Sequence, residues 1–157
     1  MKRIFITMLV LTAIVLTASA QKGLQINSIF GGTYGSDPNV TETMMSGEHR
    51  YLTSNGLTVM ATFKGPASTY AKIVEPLVLA DGAHATGRNV RYKNGKLYFA
   101  YFVLPSVTSG GKKINRYLYY LDNAANKGSN VMVLYFEGEI PQNLAATLIQ
   151  SLIKSVK

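Results

Sequence analysis

From Leu57 to Phe63 apolar side chains fall on every second position (Leu57, Val59, Ala61, Phe63), the two-residue period of a strand. The preceding VTETMMSG, from Val40, carries a weaker form of the pattern and is the expected partner strand, and Lys64-Gly65-Pro66 breaks the run. The period then lengthens. In STYAKIVEPLVLADG, Tyr70, Ile73, Val74, Leu77 and Val78 recur at helical spacing, with Ser68 placed as an N-cap and Gly82 as a stop. Pro76 lies inside this pattern, where it has no N–H to give and clashes with the carbonyl of Lys72, which predicts a kink or a restart.

NVRYKNGKLYFAYFVL sets Asn94-Gly95 between two β-rich runs, a strong hairpin signal, because a type I′ turn needs positive φ at both central residues. A two-residue loop pairs Lys93 with Lys96, Tyr92 with Leu97, Arg91 with Tyr98 and Val90 with Phe99. One face then carries Val90, Tyr92, Leu97, Phe99, Tyr101 and Val103 and is clean enough to be core. The other carries Asn89, Arg91, Lys93, Lys96, Tyr98, Ala100 and Phe102, with Arg91 placed to lie over Tyr98. Two more strands are read at Lys113–Leu121 and Asn130–Glu137, separated by the polar loop Asp122–Ser129. The link from the hairpin, PSVTSGGKK, reads as long and glycine-rich and leaves that register open. Four consecutive strands with short connections form an antiparallel meander by default.

IPQNLAATLIQSLIKSV closes the chain as an amphipathic helix. Pro141 suits its first turn, and Leu144, Leu148, Leu152 with Ala145, Ile149, Ile153 make one broad stripe opposite Gln142, Gln150, Ser151 and Lys154. The expected fold is therefore α+β: a mainly antiparallel sheet of four to six strands, with the C-terminal helix and the shorter Ser68–Leu79 helix packed on one face.

The first twenty residues change where this fold is expected to work. Lys2 and Arg3 precede an apolar run from Ile4 to Leu16 and then Ala18-Ser19-Ala20, the order of a cleaved secretory signal peptide. Cleavage at Ala20/Gln21 leaves one domain, residues 21–157, for the periplasm or the exterior. The chain has no cysteine, which argues against a lipoprotein and excludes disulfides and thiolate chemistry. The mature chain contains no apolar stretch long enough to span a membrane.

Removing Lys2 and Arg3 from the 16 basic residues leaves 14 against 8 acidic, a net charge of +6. Between Asp81 and Asp122 stand Arg88, Arg91, Lys93, Lys96, Lys112, Lys113 and Arg116 with no acidic residue. Basic residues interleaved with tyrosines suit an anionic partner.

Catalytic signatures are sparse. FGGTYGSD and TSGGKK lack the spacing or setting of a phosphate-binding loop and read as turns. His49 and His84 sit in neither HExxH nor a nucleophile elbow, and the dipeptide Glu48-His49 does not make a metal site. Glu137 and Glu139 share a strand face but stand before a helix, where acids favour its positive end. Asn39-Val40-Thr41 matches a glycan acceptor pattern, which matters only in a cell that performs that modification.

The stretches LQINSIFGGTYG, PNVTETMMSG, LADGAHA, GKLYFAYFVLP, NRYLYYLDN and VMVLYFEG together resemble a family of small secreted Bacteroidetes proteins, the domain of unknown function 6108. The resemblance implies export in a Gram-negative bacterium and brings no activity, cofactor or functional residue with it.

The expected function is that of a non-catalytic exported protein, without cofactor or metal, binding an anionic ligand through Arg91, Lys93, Lys96, Tyr98 and Phe102. An acidic polysaccharide or envelope component is the expected class of partner, and nucleic acid is not. Two alternatives stand beside it. One is an enzyme with an unrecognised site near His49 or His84, which calls for a pocket holding a histidine beside a carboxylate. The other is a self-associating envelope scaffold using exposed tyrosines.

Overall fold

A computed structural model describes residues 23–123 and 129–155. The expected signal peptide and most of the Asp122–Ser129 loop lie outside the described residues. After a 3-10 turn at Gln25–Ile29 come β1 (Thr41–Ser46), a short helix α1 (Arg50–Ser54), β2 (Leu57–Pro66) and α2 (Ala67–Gly82). Then follow β3 (Gly87–Lys93), β4 (Lys96–Ser109), β5 (Lys112–Asp122), β6 (Asn130–Gly138) and α3 (Gln142–Ser155). The six strands form one sheet in the order β1-β2-β6-β5-β4-β3, every neighbouring pair antiparallel. The class is α+β. No helix among the described residues is long and apolar enough to cross a membrane.

The sheet closes in two moves. β3 to β6 make the expected meander, and α2 carries the chain from β2 to the far edge, so that β6 returns to pair with β2. The link between β4 and β5 is shorter than its composition suggests. Strand pairing runs to Ser109 with Lys112, and Gly110 and Gly111, both at positive φ, form a two-residue turn.

The two long helices lie on opposite faces, not together on one. α2 covers a core of Phe63, Phe102, Leu118, Tyr120, Val133 and Tyr135, while α3 and α1 cover Met60, Tyr117, Leu134 and Phe136. The reason is in the central strands: YLYYL and VLYF are apolar at consecutive positions, so both faces must be buried. Helix α2 also runs through Pro76 without restarting. Its N-cap is Pro66, so Ser68 lies within the first turn; the Ala67 N–H donates instead to the Ser129 carbonyl at 3.0 Å.

On the α2 face the packing is close. Phe102 is 2% exposed, and its ring sits where a Cβ on Gly82 would come within 2.3 Å. Tyr34, Phe63 and Tyr70 meet edge to face with centroids 5.0–6.0 Å apart. The 3-10 turn inserts Ile26 and Ile29 into this core and is held by Asp81, whose carboxylate oxygens accept the Gln25 N–H at 2.7 Å and the Ile26 N–H at 2.9 Å. The FGGTYGSD turn is fastened likewise, with Glu42 accepting from the Gly31 and Gly32 N–H groups and Asp37 from the Tyr70 hydroxyl at 2.6 Å.

Candidate functional site

The β3–β4 hairpin begins as its sequence predicts. Asn94 and Gly95 take φ of 52° and 74°, and Lys93 opposes Lys96 and Tyr92 opposes Leu97. Then the register slips. Arg91 opposes Phe99 and Val90 opposes Ala100, because Tyr98 is the extra residue of a β-bulge. One inserted residue moves every later side chain of β4 to the face opposite the expected one relative to Tyr92 and Leu97. Leu97, Ala100, Phe102 and Leu104 consequently belong to the α2 core, together with Val90, while Phe99, Tyr101 and Val103 turn to the α3 side.

The five residues expected to bind ligand are thereby divided. Arg91, Lys93, Lys96 and Tyr98 stand at the hairpin, with Arg91, Lys93 and Lys96 exposed. Phe102 lies on the opposite face, sealed beneath Gly82, and faces no solvent. The Arg91 guanidinium lies 5.4 Å from the centroid of Phe99, not of Tyr98.

Beside this pair the sheet and α3 leave a groove of about 170 Å³, lined by Asn89, Phe99, Tyr101, Tyr119, Ile149 and Gln150 among others. Phe99 meets Tyr119 edge to face at 5.5 Å, and Tyr101 stacks parallel to Tyr117 at 6.4 Å. Burial pushes the Tyr101 and Tyr119 hydroxyls up to about 12, with a further push from Tyr117 on the first and from Tyr98 on the second. Both phenols are therefore protonated at neutral pH. The Tyr101 hydroxyl is buried without a hydrogen-bond partner. Sequence reasoning placed Phe99 and Tyr101 in the core and missed Asn89, Tyr119 and Gln150 as neighbours; only the β-bulge brings them together with Arg91.

A second, larger hollow of about 420 Å³ opens on the α2 side, with Asp81, His84 and Arg116 in its lining. Arg116 donates its Nε–H to the Pro105 carbonyl at 2.8 Å, at a bulge where proline withdraws no ladder donor. Next to it across the strands is Glu137, 1% exposed, which accepts from the Tyr135 hydroxyl. Burial raises Glu137 above the usual carboxylate range against the pull of the Tyr135 hydrogen bond and the Arg116 charge. It raises Asp81 as well, against the two backbone donors and Arg116. His49 is elsewhere: its Nδ1 accepts the Tyr51 N–H and caps α1. Among the described tyrosines only Tyr92, at 59%, is largely exposed.

The sequence matches the model of a family described as a family of unknown function (DUF6108) over residues 13–149. The chain belongs to this family. No curated protein and no solved structure matches it. The family's description names no activity, so the reading of function rests on the geometry of the two hollows.

Proposed function

We propose that the protein is exported after loss of residues 1–20 and binds an acidic glycan, without transforming it, in the groove beside the basic hairpin. The observation that carries this reading is Arg91 lying over Phe99, a ring that lines the groove together with Asn89, Tyr119 and Gln150. A sugar ring has apolar C–H faces that pack on aromatic side chains, and hydroxyls that need donors and acceptors at its rim. Phe99 and Tyr119 supply the first; Asn89 and Gln150 supply the second. The cations select for acidity. Lys93 and Lys96 stand directly opposite each other, a pairing that costs stability in the free protein and is neutralised by an anion. The groove lining contains no carboxylate, imidazole or hydroxyl of a serine or threonine, which is why the reading is one of binding.

The test compares retention on immobilised polygalacturonate with retention on a plain cation exchanger over a salt gradient, because salt weakens generic charge attraction on both. Wild-type protein should be held longer on the polysaccharide, and Arg91→Glu/Lys93→Glu should remove the difference. Equal elution of the wild type from the two matrices would defeat the proposal.

The enzyme alternative has one observation in its favour, since His84 and Asp81 do line a common hollow. Each oxygen of Asp81 already accepts a backbone N–H, however, and the carboxylate fastens the 3-10 turn. The self-association reading keeps only Tyr92 as a largely exposed tyrosine among the described residues.

A further inference from the structure

The two edges of the sheet are protected unequally. A bare edge offers unpaired N–H and C=O groups to any second strand, and proteins blunt it with basic side chains, proline or a bulge. The β3 edge is blunted: Arg88, Arg91 and Lys93 are exposed along it, and the bulge at Tyr98 lies beside it. The β1 edge, Thr41–Ser46, has none of these devices. It contains no lysine, arginine or proline and pairs with β2 without a register shift. Its one charge, Glu42, is turned onto the Gly31 and Gly32 N–H groups, and Met44 is 49% exposed.

The ladder fixes which backbone groups of β1 look outward. The Gly47 N–H donates to the Thr58 carbonyl at 3.2 Å, directly across in the β1–β2 register. Bonding direction alternates along an antiparallel pair, so Thr41, Thr43 and Met45 bond to β2, while Glu42, Met44 and Ser46 turn their N–H and C=O groups away from it. Among the described residues no strand lies on that side.

We infer that β1 is a dimerisation edge, which pairs antiparallel with β1 of a second copy about a twofold axis at Met44. In that register Met44 meets its counterpart, Glu42 meets Ser46 and Thr43 meets Met45, so no like charges stand opposite each other. The outward groups of Glu42, Met44 and Ser46 are then bonded from both copies. Charge favours a second copy at this edge over the other. Two chains of net charge +6 repel, but no basic residue stands between Lys22 and Arg50, so the repulsion is weakest where β1 lies. Pairing β3 with β3 would set arginines and lysines against each other, and pairing β1 with β3 would need the blunted edge. A foreign strand of either charge would find no free countercharge along β1, whereas an identical strand needs none. Six residues a side make a small interface, in the class below about 1,200 Å², so the dimer is weak and forms at high concentration.

The experiment is sedimentation of the purified protein over a concentration series from micromolar to millimolar. The wild type should pass reversibly from monomer to dimer and stop there, because pairing uses both β1 edges. Met44→Lys sets two lysines against each other across the axis and should weaken the dimer at least tenfold. Met44→Pro removes only an outward N–H, leaves the bonds to β2 whole and should weaken it as much, while Met44→Leu should dimerise like the wild type. Arg91→Glu/Lys93→Glu should also dimerise like the wild type, which separates this edge from the glycan groove. The register has its own readout, because the chain has no cysteine. Under a mild thiol oxidant, a mixture of the Thr43→Cys and Met45→Cys proteins should form a disulfide-linked dimer at least tenfold faster than either protein alone. A monomer at every concentration, growth beyond the dimer by stacking of β1 on β3, undiminished association in either Met44→Lys or Met44→Pro, or equal cross-linking rates would overturn the inference.

Discussion

The two faces of the sheet are built from alternate residues of the same strands and end in different states. Under α2, Phe102 meets Gly82 without clearance and Tyr34, Phe63 and Tyr70 interlock. Under α3, the neighbouring residues Phe99, Tyr101 and Val103 are only half-buried, and a groove remains beside Gln150. The α2 face has two covers, the helix and the 3-10 turn pinned by Asp81; the outer strands of the α3 face have one helix, which leaves them partly open. Apolarity is therefore not what separates core from surface here. Coverage separates them, and the partly covered aromatic face is where a ligand can find rings to pack on.

That contrast can be broken directly. Phe102→Ala should cost about 3–5 kcal/mol in urea unfolding, as expected for a large ring removed from a sealed core, and Phe99→Ala less than half as much. Similar costs would mean that the two faces are equally buried in solution. Gly82→Ala should cost about 1–3 kcal/mol, because the new methyl meets the Phe102 ring, and Phe102→Leu in the same chain should return part of the loss.

A pH series sharpens the comparison further. Glu137 has a raised pKa in the folded protein, so its contribution to stability is fully present below the ordinary carboxylate range and is lost as pH rises through the raised value. The wild type should therefore lose stability relative to Glu137→Gln as the pH rises above the ordinary carboxylate range. Asp37 runs the other way: the Tyr70 hydroxyl holds it low, so its contribution is present at neutral pH and is lost as pH falls through the depressed value. Asp37→Asn should therefore lower stability at neutral pH, and the gap to the wild type should close as the pH falls below the ordinary carboxylate range. The smallest effect belongs to the hairpin. Lys93→Glu should gain about 0.2–1 kcal/mol by removing a like-charge pair, while retention on polygalacturonate falls. Binding and stability would then change in opposite senses at one position.

Much of the fold is legible in the chain. The alternation at Leu57–Phe63, the Asn94-Gly95 turn and the leucine rows of the last helix each state a period, and each became the element that period implies. Residues that state no period were harder. The bulge at Tyr98 is one extra residue in an aromatic run, where every register looks equally apolar. Gly110-Gly111 gives the same dipeptide for a loose link as for a tight hairpin, and the pairing of Ser109 with Lys112 decides which. The short helix α1 carries too few residues to show a repeat. The placing of α2 and α3 on opposite faces follows from where α2 delivers β3, a property of the whole path. The sequence pointed to all five expected binding residues as one cluster; Arg91, Lys93, Lys96 and Tyr98 do stand at the hairpin, but Phe102 changed faces with the bulge. The larger hollow was invisible because its walls come from Gly23 to Arg116, segments that only the folded sheet brings together.

The strand order has a consequence for how the molecule comes into being. β6 is synthesised after every other strand, yet it lies inside the sheet between β2 and β5, pairing Leu57 with Gly138 and Asn115 with Gly138 from its two sides. Until it exists, β1 and β2 form an isolated ribbon, marginal in water, and β5 presents an open edge. Joining partners so distant along the chain spends loop entropy before any contact repays it, so closure should be late and slow compared with the local hairpins. A chain stopped short of Asn130 would be two sticky fragments tethered by a helix. The final strand is thus a keystone: its insertion both completes the molecule and removes the edges through which an unfinished copy would bind another.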